Sequence, residues 1–238
     1  MTRIVGHVSA LNRFPVKSMA GETLRVAEMD WQGIEGDRQY AFVRAANGTR
    51  FPWLTGRVIP AMVLHRASFA DPDKPKTSAV TVETPDGATL SLHDPMLKAH
   101  LEMAAGEPAA LIQVARGCYD SMPISIQSSA GHAAVEAAHG CALDIMRFRI
   151  NVIVESDLPA SEWQGRRLAF GNDEDGAMVQ CADPIARCVM VTIDPVTGAK
   201  EPRVLRTVAR EFGNAYGIYA GPARPGLIRI GDVVRLVD

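Results

Sequence analysis

Short stretches of alternating apolar and polar residues, each cut off by turn chemistry, fill the first third of the chain. Residues 3–11 (RIVGHVSAL) have the period-2 pattern of a strand, and Asn12-Arg13-Phe14-Pro15 then turns the chain. Residues 24–29, 37–44, 49–57 and 61–69 continue the series. Residues 78–83 and 88–92 flank Pro85-Asp86-Gly87 as a hairpin, and Ala45-Ala46-Asn47-Gly48 carries an Asn-Gly turn signal. This succession predicts a β-meander curled into a small barrel.

The period changes at residue 95. Residues 95–106 (PMLKAHLEMAAG) predict a short helix closed by glycine. Residues 111–114 and 120–129 predict strands, the second ending in Ser128-Ser129, where Ser129 can cap a helix over 130–139. Residues 147–155 (RFRINVIVE) predict a strand with Arg147, Arg149 and Asn151 on one face. His132 and His139, seven apart on the helix, read as surface histidines. Residues 186–193 predict another strand, with Cys188, Met190 and Thr192 on one face and Val189, Val191 and Ile193 on the other. A helix over 202–213, with Arg203, Arg206 and Arg210 on one face, precedes two closing strands around Gly231-Asp232. The fold class expected is mainly β with a few helices, α+β: an N-terminal small β-barrel over 1–95 packed on a C-terminal β-barrel over 96–238.

Composition narrows the function. The chain has 238 residues, 47% apolar and 22% charged, with a formal net charge of −2. That balance gives no general attraction for nucleic acid or an anionic membrane, so an anion site has to be local. No segment approaches the ~18 apolar residues of a membrane span, and no signal-peptide core is present. The expected location is the cytoplasm. The four cysteines, Cys118, Cys141, Cys181 and Cys188, form no C-x-x-C pair, which argues against a zinc site or a disulfide framework. Walker A and G-x-G-x-x-G patterns are absent. The acidic loop 172–176 lacks the ligand series of a calcium site.

Candidate chemistry is spread over four places. Lys17-Ser18 lies between a proline and a glycine, so it is in a loop. Arg38 stands beside Asp37, either as a surface pair or as a fork of donors for a phosphate. Arg149 and Asn151 share the face of one predicted strand, an unfavourable arrangement unless that face meets solvent or an anion. Cys188 follows Arg187, whose charge favours thiolate, the nucleophilic and metal-binding form. A packing cysteine remains the alternative. Together the four would form an anion clamp beside a thiol.

With these residues in view, the chain resembles a known family. Phe14-Pro15-Val16-Lys17-Ser18, Gly36-Asp37-Arg38, Thr55-Gly56-Arg57, Asp120, Pro123, Ser128, Arg149, Asn151, Arg187-Cys188 and Asp194-Pro195 follow the order of the MOSC N-terminal β-barrel domain and the MOSC domain, similar to the mitochondrial amidoxime-reducing component and its bacterial relatives. The resemblance implies a molybdenum cofactor (molybdopterin). Cys188 would be the metal ligand and the catalytic group. Lys17, Arg38 and Arg149 would hold the pterin phosphate and ring; Ser18, Ser128 and Asn151 would add hydrogen bonds; and Thr55, Arg57 and Arg187 would complete the cofactor-binding set. The implied reaction is reduction of small N-hydroxylated compounds: amidoximes, hydroxylamines or N-hydroxylated bases. The alternative is a cofactor carrier or storage protein, or a persulfide sulfur carrier. Ile150 stands where relatives often have proline. No iron–sulfur spacing follows the domain, so electrons are expected from a separate electron-transfer protein. The pyridoxal-phosphate half of a cofactor sulfurase is also missing, so a complete sulfurase is not expected.

Overall fold

The twelve-residue strand β1 (Thr2–Arg13) does not stay with the N-terminal meander but enters the sheet made by the C-terminal half. The computed structural model describes all residues except Met1, Ala46, Asn47, Arg50, Asp173 and Asp238. Part of the Asn-Gly turn and one position of the acidic loop therefore lie outside the described residues.

The first half supplies β2 (Glu22–Leu24), β3 (Val26–Asp30), β4 (Gly33–Ile34), β5 (Tyr40–Arg44), β6 (Arg66–Phe69), β7 (Val80–Glu83) and β8 (Thr89–Ser91). Next come α1 (Pro95–Ala105), β9 (Ala109–Gln113), β10 (Ile124–Ser128), α2 (Ser129–His139) and β11 (Val152–Glu155). The chain finishes with β12 (Arg167–Phe170), β13 (Met178–Ala186), α3 (Pro202–Glu211), β14 (Ala215–Arg224), β15 (Gly226–Arg229) and β16 (Val233–Val237). Strands β11-β10-β14-β13-β12-β16-β1 form one sheet that the β1–β11 pairing closes into a seven-stranded barrel. All its neighbours are antiparallel except β10 and β11. The mainly β fold with a few helices is the one expected from the sequence.

β1 can bend between its two neighbours because of Gly6. There the register shifts, φ is +152°, and a Cβ would lie 2.0 Å from the Glu155 carbonyl oxygen. Only glycine fits.

Three apolar clusters hold the molecule. Val8, Leu11, Ile126, Val152, Trp163, Phe170 and Ile218 are all buried in the barrel interior, together with Ala27 and Met29 from β3. Val16, Met19, Phe42, Leu54, Met62, Val82, Leu97 and Leu101 form the core of the N-terminal meander and α1. Val135, Phe148, Ile150, Ile185, Val191, Val204 and Val208 form the third, under α2 and α3. The helices end as their sequences dictate. Asp94 caps α1 and Gly106 closes it at φ 71°. α3 buries Val204 and Val208, four apart, and leaves Arg203, Arg206 and Arg210 exposed.

Several predicted elements differ. Among the described residues of 49–57 an isolated bridge at Trp53 is the one strand pairing, and residues 60–64 form a 3-10 turn, because Pro52 and Pro60 lack the ladder donor. The strand expected over 147–155 begins at Val152; before it come a 3-10 turn (Ile145–Phe148) and Arg149 at φ 55°. The strand expected over 186–193 ends at Ala186. Cys188 instead opens a 3-10 turn (Val189–Thr192), which buries Val191 and Thr192 together. The cap of α2 is Ser128, not Ser129.

The histidines are not surface residues. His139 is buried between Thr207 (3.2 Å) and Glu201 (3.0 Å), and His132 Nδ1 meets the Tyr216 hydroxyl at 2.6 Å. Packing of α2 against α3 and β14 encloses them. No helix among the described residues is long and apolar enough to cross a membrane.

Candidate functional site

Four turns from distant parts of the chain meet at one cavity of about 120 Å³. The first follows β1. Lys17 N donates to Tyr40 O (2.8 Å), which pins the loop, and Ser18 then takes φ 69°. The second follows β4: Phe14 N donates to Asp37 Oδ1 (2.8 Å), and Arg38 N donates to Phe14 O (2.6 Å). The third is Arg147–Asn151 and the fourth Ala186–Val191. Nine of the ten site residues expected from the sequence line the cavity: Lys17, Ser18, Arg38, Thr55, Arg57, Arg149, Asn151, Arg187 and Cys188; Asp120, one of the residues that carry the resemblance, lines it too.

Ser128 is not among them. It is fully buried and its hydroxyl accepts from Gly131 N (3.0 Å), so it caps α2.

Backbone strain concentrates here. Among the described residues, the non-glycine positions with positive φ are Ser18, Arg38, Arg149 and Asn214. Three line the cavity, and Asn214 braces its wall, with Nδ2 donating to Arg187 O (3.0 Å). Such conformations cost ~1–3 kcal/mol each and persist where the surroundings over-determine them.

Apart from exposed Arg57, the cations of the cavity fall into two groups. Arg187 and Arg147 are committed to the protein itself. Arg187 donates to Phe148 O (2.9 Å) and twice to Tyr216 O (3.0 and 2.7 Å). Arg147 donates to Val191 O (3.3 Å), Thr192 O (3.1 Å) and Asp194 Oδ2 (2.9 Å), so it ties down the turn that follows Cys188. Asn151 belongs with them: its Oδ1 accepts from Ser125 Oγ (2.8 Å) and its Nδ2 donates to Asn12 O (3.1 Å).

Lys17, Arg38 and Arg149 form the second group. Lys17 Nζ donates to Cys118 O and Asp120 Oδ1, both at 2.6 Å. Burial lowers its pKa against the pull of Asp120. Arg38 donates to buried Asp37 and to Arg149 O (3.0 Å); burial works to lower its pKa, but Asp37 outweighs it and the net shift is upward. Arg149 is the least compensated. Nη1 donates to Met19 O (2.7 Å), while Nη2 is buried without a partner. Burial, reinforced by Arg38, pushes its pKa down to about 9, which leaves it charged at neutral pH. A buried, unpartnered guanidinium N–H among three cations calls for an anionic ligand.

Cys188 is half-buried on the same wall. Of the other thiols, burial pushes Cys118 up to about 11 and Cys181 up to about 12, so both stay protonated and inert; Cys141 is exposed and does not line the cavity. No group of three or more His, Cys, Asp or Glu among the described residues is placed to hold a metal ion. A metal here would depend on Cys188 and on donors that a bound group brings with it.

Tyr119, Met122, Ser125, Arg147, Phe148 and Tyr219 also line the cavity. Sequence pattern does not select them as site residues. Arg147 was visible as one of two arginines on a face, but neither its brace to the Cys188 turn nor the other side chains have a local signal.

Comparison with known proteins gives the family. The family model described as the MOSC N-terminal beta barrel domain matches residues 5–112, and that of the MOSC domain matches residues 109–235, more than half the chain. A molybdenum cofactor sulfurase of Anopheles gambiae is 34% identical over 101 residues, 40% of this chain and 12% of that protein. One from Bombyx mori is 40% identical over 75 residues, 31% and 9% respectively. The chain thus spans about a tenth of the length of these curated relatives. The crystal structure of the YUAD protein from Bacillus subtilis superposes with a TM-score of 0.54 at 16% identity, covering 99% of this chain and 96% of that one. The chain belongs to the MOSC domain family.

Proposed function

We propose that this MOSC chain holds a molybdenum cofactor in the four-turn cavity and reduces small N-hydroxylated compounds, with electrons from a separate electron-transfer protein. The observation that carries the reading is the unpartnered Nη2 of Arg149, buried in a cationic cavity whose wall also presents the Cys188 thiol.

The residues present fit such a group. Arg149 Nη2, the remaining donors of Lys17 and Arg38, the Ser18 hydroxyl and exposed Arg57 would bind its anionic parts. Cys188 would offer a soft thiolate ligand, which suits a metal already carried on sulfur. When bound, the cofactor supplies the two-electron redox chemistry. Arg187, Arg147 and Asn151 keep the Cys188 turn and the Arg149 turn in place, so the thiol and the cations stay in register. Asp120, held by Lys17, puts a carboxylate at the cavity mouth where a substrate N–H or a proton could be received.

The test is metal and pterin analysis of the chain expressed in a host that makes the cofactor. About one molybdenum per chain is expected, together with reduction of benzamidoxime by an artificial donor, and both should be lost in a folded Cys188→Ala variant. A chain without molybdenum overturns the reading. Molybdenum without any reduction of N-hydroxylated compounds favours the carrier or persulfide role instead.

A further inference from the structure

Next to the Cys188 cavity, and sharing Phe51, Tyr119 and Asp120 with it, lies an open groove of about 610 Å³. Two of the three tryptophans of the chain, Trp31 and Trp53, line it, while Trp163 is fully buried in the barrel. Trp31 sits on the turn between β3 and β4 and is 68% exposed.

The walls are held in position. The Tyr119 ring packs against Gly117, where a Cβ would come within 2.3 Å of the ring, and its hydroxyl donates to Asp37 O (3.3 Å) and Gln32 O (3.4 Å). The second bond ties the ring to the turn that carries Trp31. Lys17 Nζ lies 5.2 Å from the Trp53 ring centroid, so a lysine of the cavity packs on a wall residue of the groove. Asp120 stands at their boundary. Its Oδ1 accepts from Lys17 and its side chain is 45% exposed.

We propose that this groove seats a planar aromatic ring of the substrate, with the N–H-bearing end of that molecule reaching Asp120 at the mouth of the Cys188 cavity. The proposal rests on the reading of the cavity as a reductase site and adds the residues that select the substrate. Flat rings gain contact area and quadrupole complementarity against indole and phenol faces, and a delocalised cation gains more. A carboxylate at the end of the groove accepts an amidine N–H in a charge-assisted bond. An aliphatic molecule with the same polar end keeps the second contact and loses the first.

The experiment is calorimetric titration of the full chain with benzamidine and acetamidine, which share the amidine but not the ring and are not reduced. Benzamidine is expected to bind at least tenfold more tightly. Trp31→Ala should weaken benzamidine at least threefold and leave acetamidine unchanged, while Asp120→Asn should weaken both. Equal affinity for the two amidines, no measurable benzamidine binding, or benzamidine affinity unchanged in Trp31→Ala overturns the proposal. Trp53→Leu is a second variant; because Trp53 is half-buried, the exposed Trp31 decides if that variant does not fold. Binding is read without turnover and molybdenum content is read without substrate, so the ring site and the reductase reading fail separately.

Discussion

Arg149 places its guanidinium carbon 4.2 Å from the centroid of the Phe14 ring and leaves Nη2 buried without a partner. The ring covers one face of the cation and supplies no hydrogen-bond acceptor. Arg38 lies over the same ring at 4.8 Å, so two guanidinium groups share one aromatic surface. Asp37 and Asp120 act on Arg149 only through space, and an anionic ligand would supply the missing acceptor for Nη2.

Arg149→Met keeps an unbranched chain against Phe14 and removes the charge. Losing a charge-assisted hydrogen bond is worth ~2 kcal/mol, so anion affinity should fall by more than tenfold. Titration with sulfate checks this, and molybdenum retention should drop in parallel. The variant should stay folded, because removal of a buried and poorly compensated charge offsets the lost bond to Met19 O.

The same charge sets a pH dependence. Arg149 binds an anion only when protonated, and in the fold its pKa is depressed to about 9 by burial. Sulfate affinity should therefore be flat from neutral pH upward and fall as pH rises through about 9, with burial of Lys17 acting in the same direction. Sulfate itself does not titrate there. For stability the sign is opposite: between about 9 and the ordinary arginine value the unfolded chain holds more protons, so the contribution of this group to stability rises with pH in that window.

Arg187 and Arg57 line the same cavity but should behave differently. Arg187→Met strands the carbonyls of buried Phe148 and Tyr216 and should destabilise the chain by on the order of 3 kcal/mol, read by urea unfolding. Arg57 is exposed. Arg57→Ala should leave the urea midpoint unchanged and weaken sulfate binding alone.

Ser128→Ala should lower stability by ~1 kcal/mol through loss of the α2 cap, seen as a lower melting temperature. Molybdenum content should be unaffected, because Ser128 lies outside the cavity.

Local chemistry determined much of this protein. Proline, glycine and cap residues marked α1, α2 and α3 to within two residues at each end, since these signals act over one turn of chain. Period-2 patterning identified the β class, and the ordered motifs pointed to Lys17, Arg38, Arg149 and Cys188, which the fold brings to one cavity. Tertiary structure decided the rest. It assigned β1 to the C-terminal barrel, because strand partners are chosen by side chains distant in sequence. It also turned the predicted strand at Cys188 into a 3-10 turn, whose Val191 and Thr192 carbonyls accept from Arg147, a residue more than forty positions earlier. Finally, it separated Arg187 from Arg149. Both are arginines at turns, and only the positions of carbonyls contributed by other segments make one a brace and leave the other with a free donor.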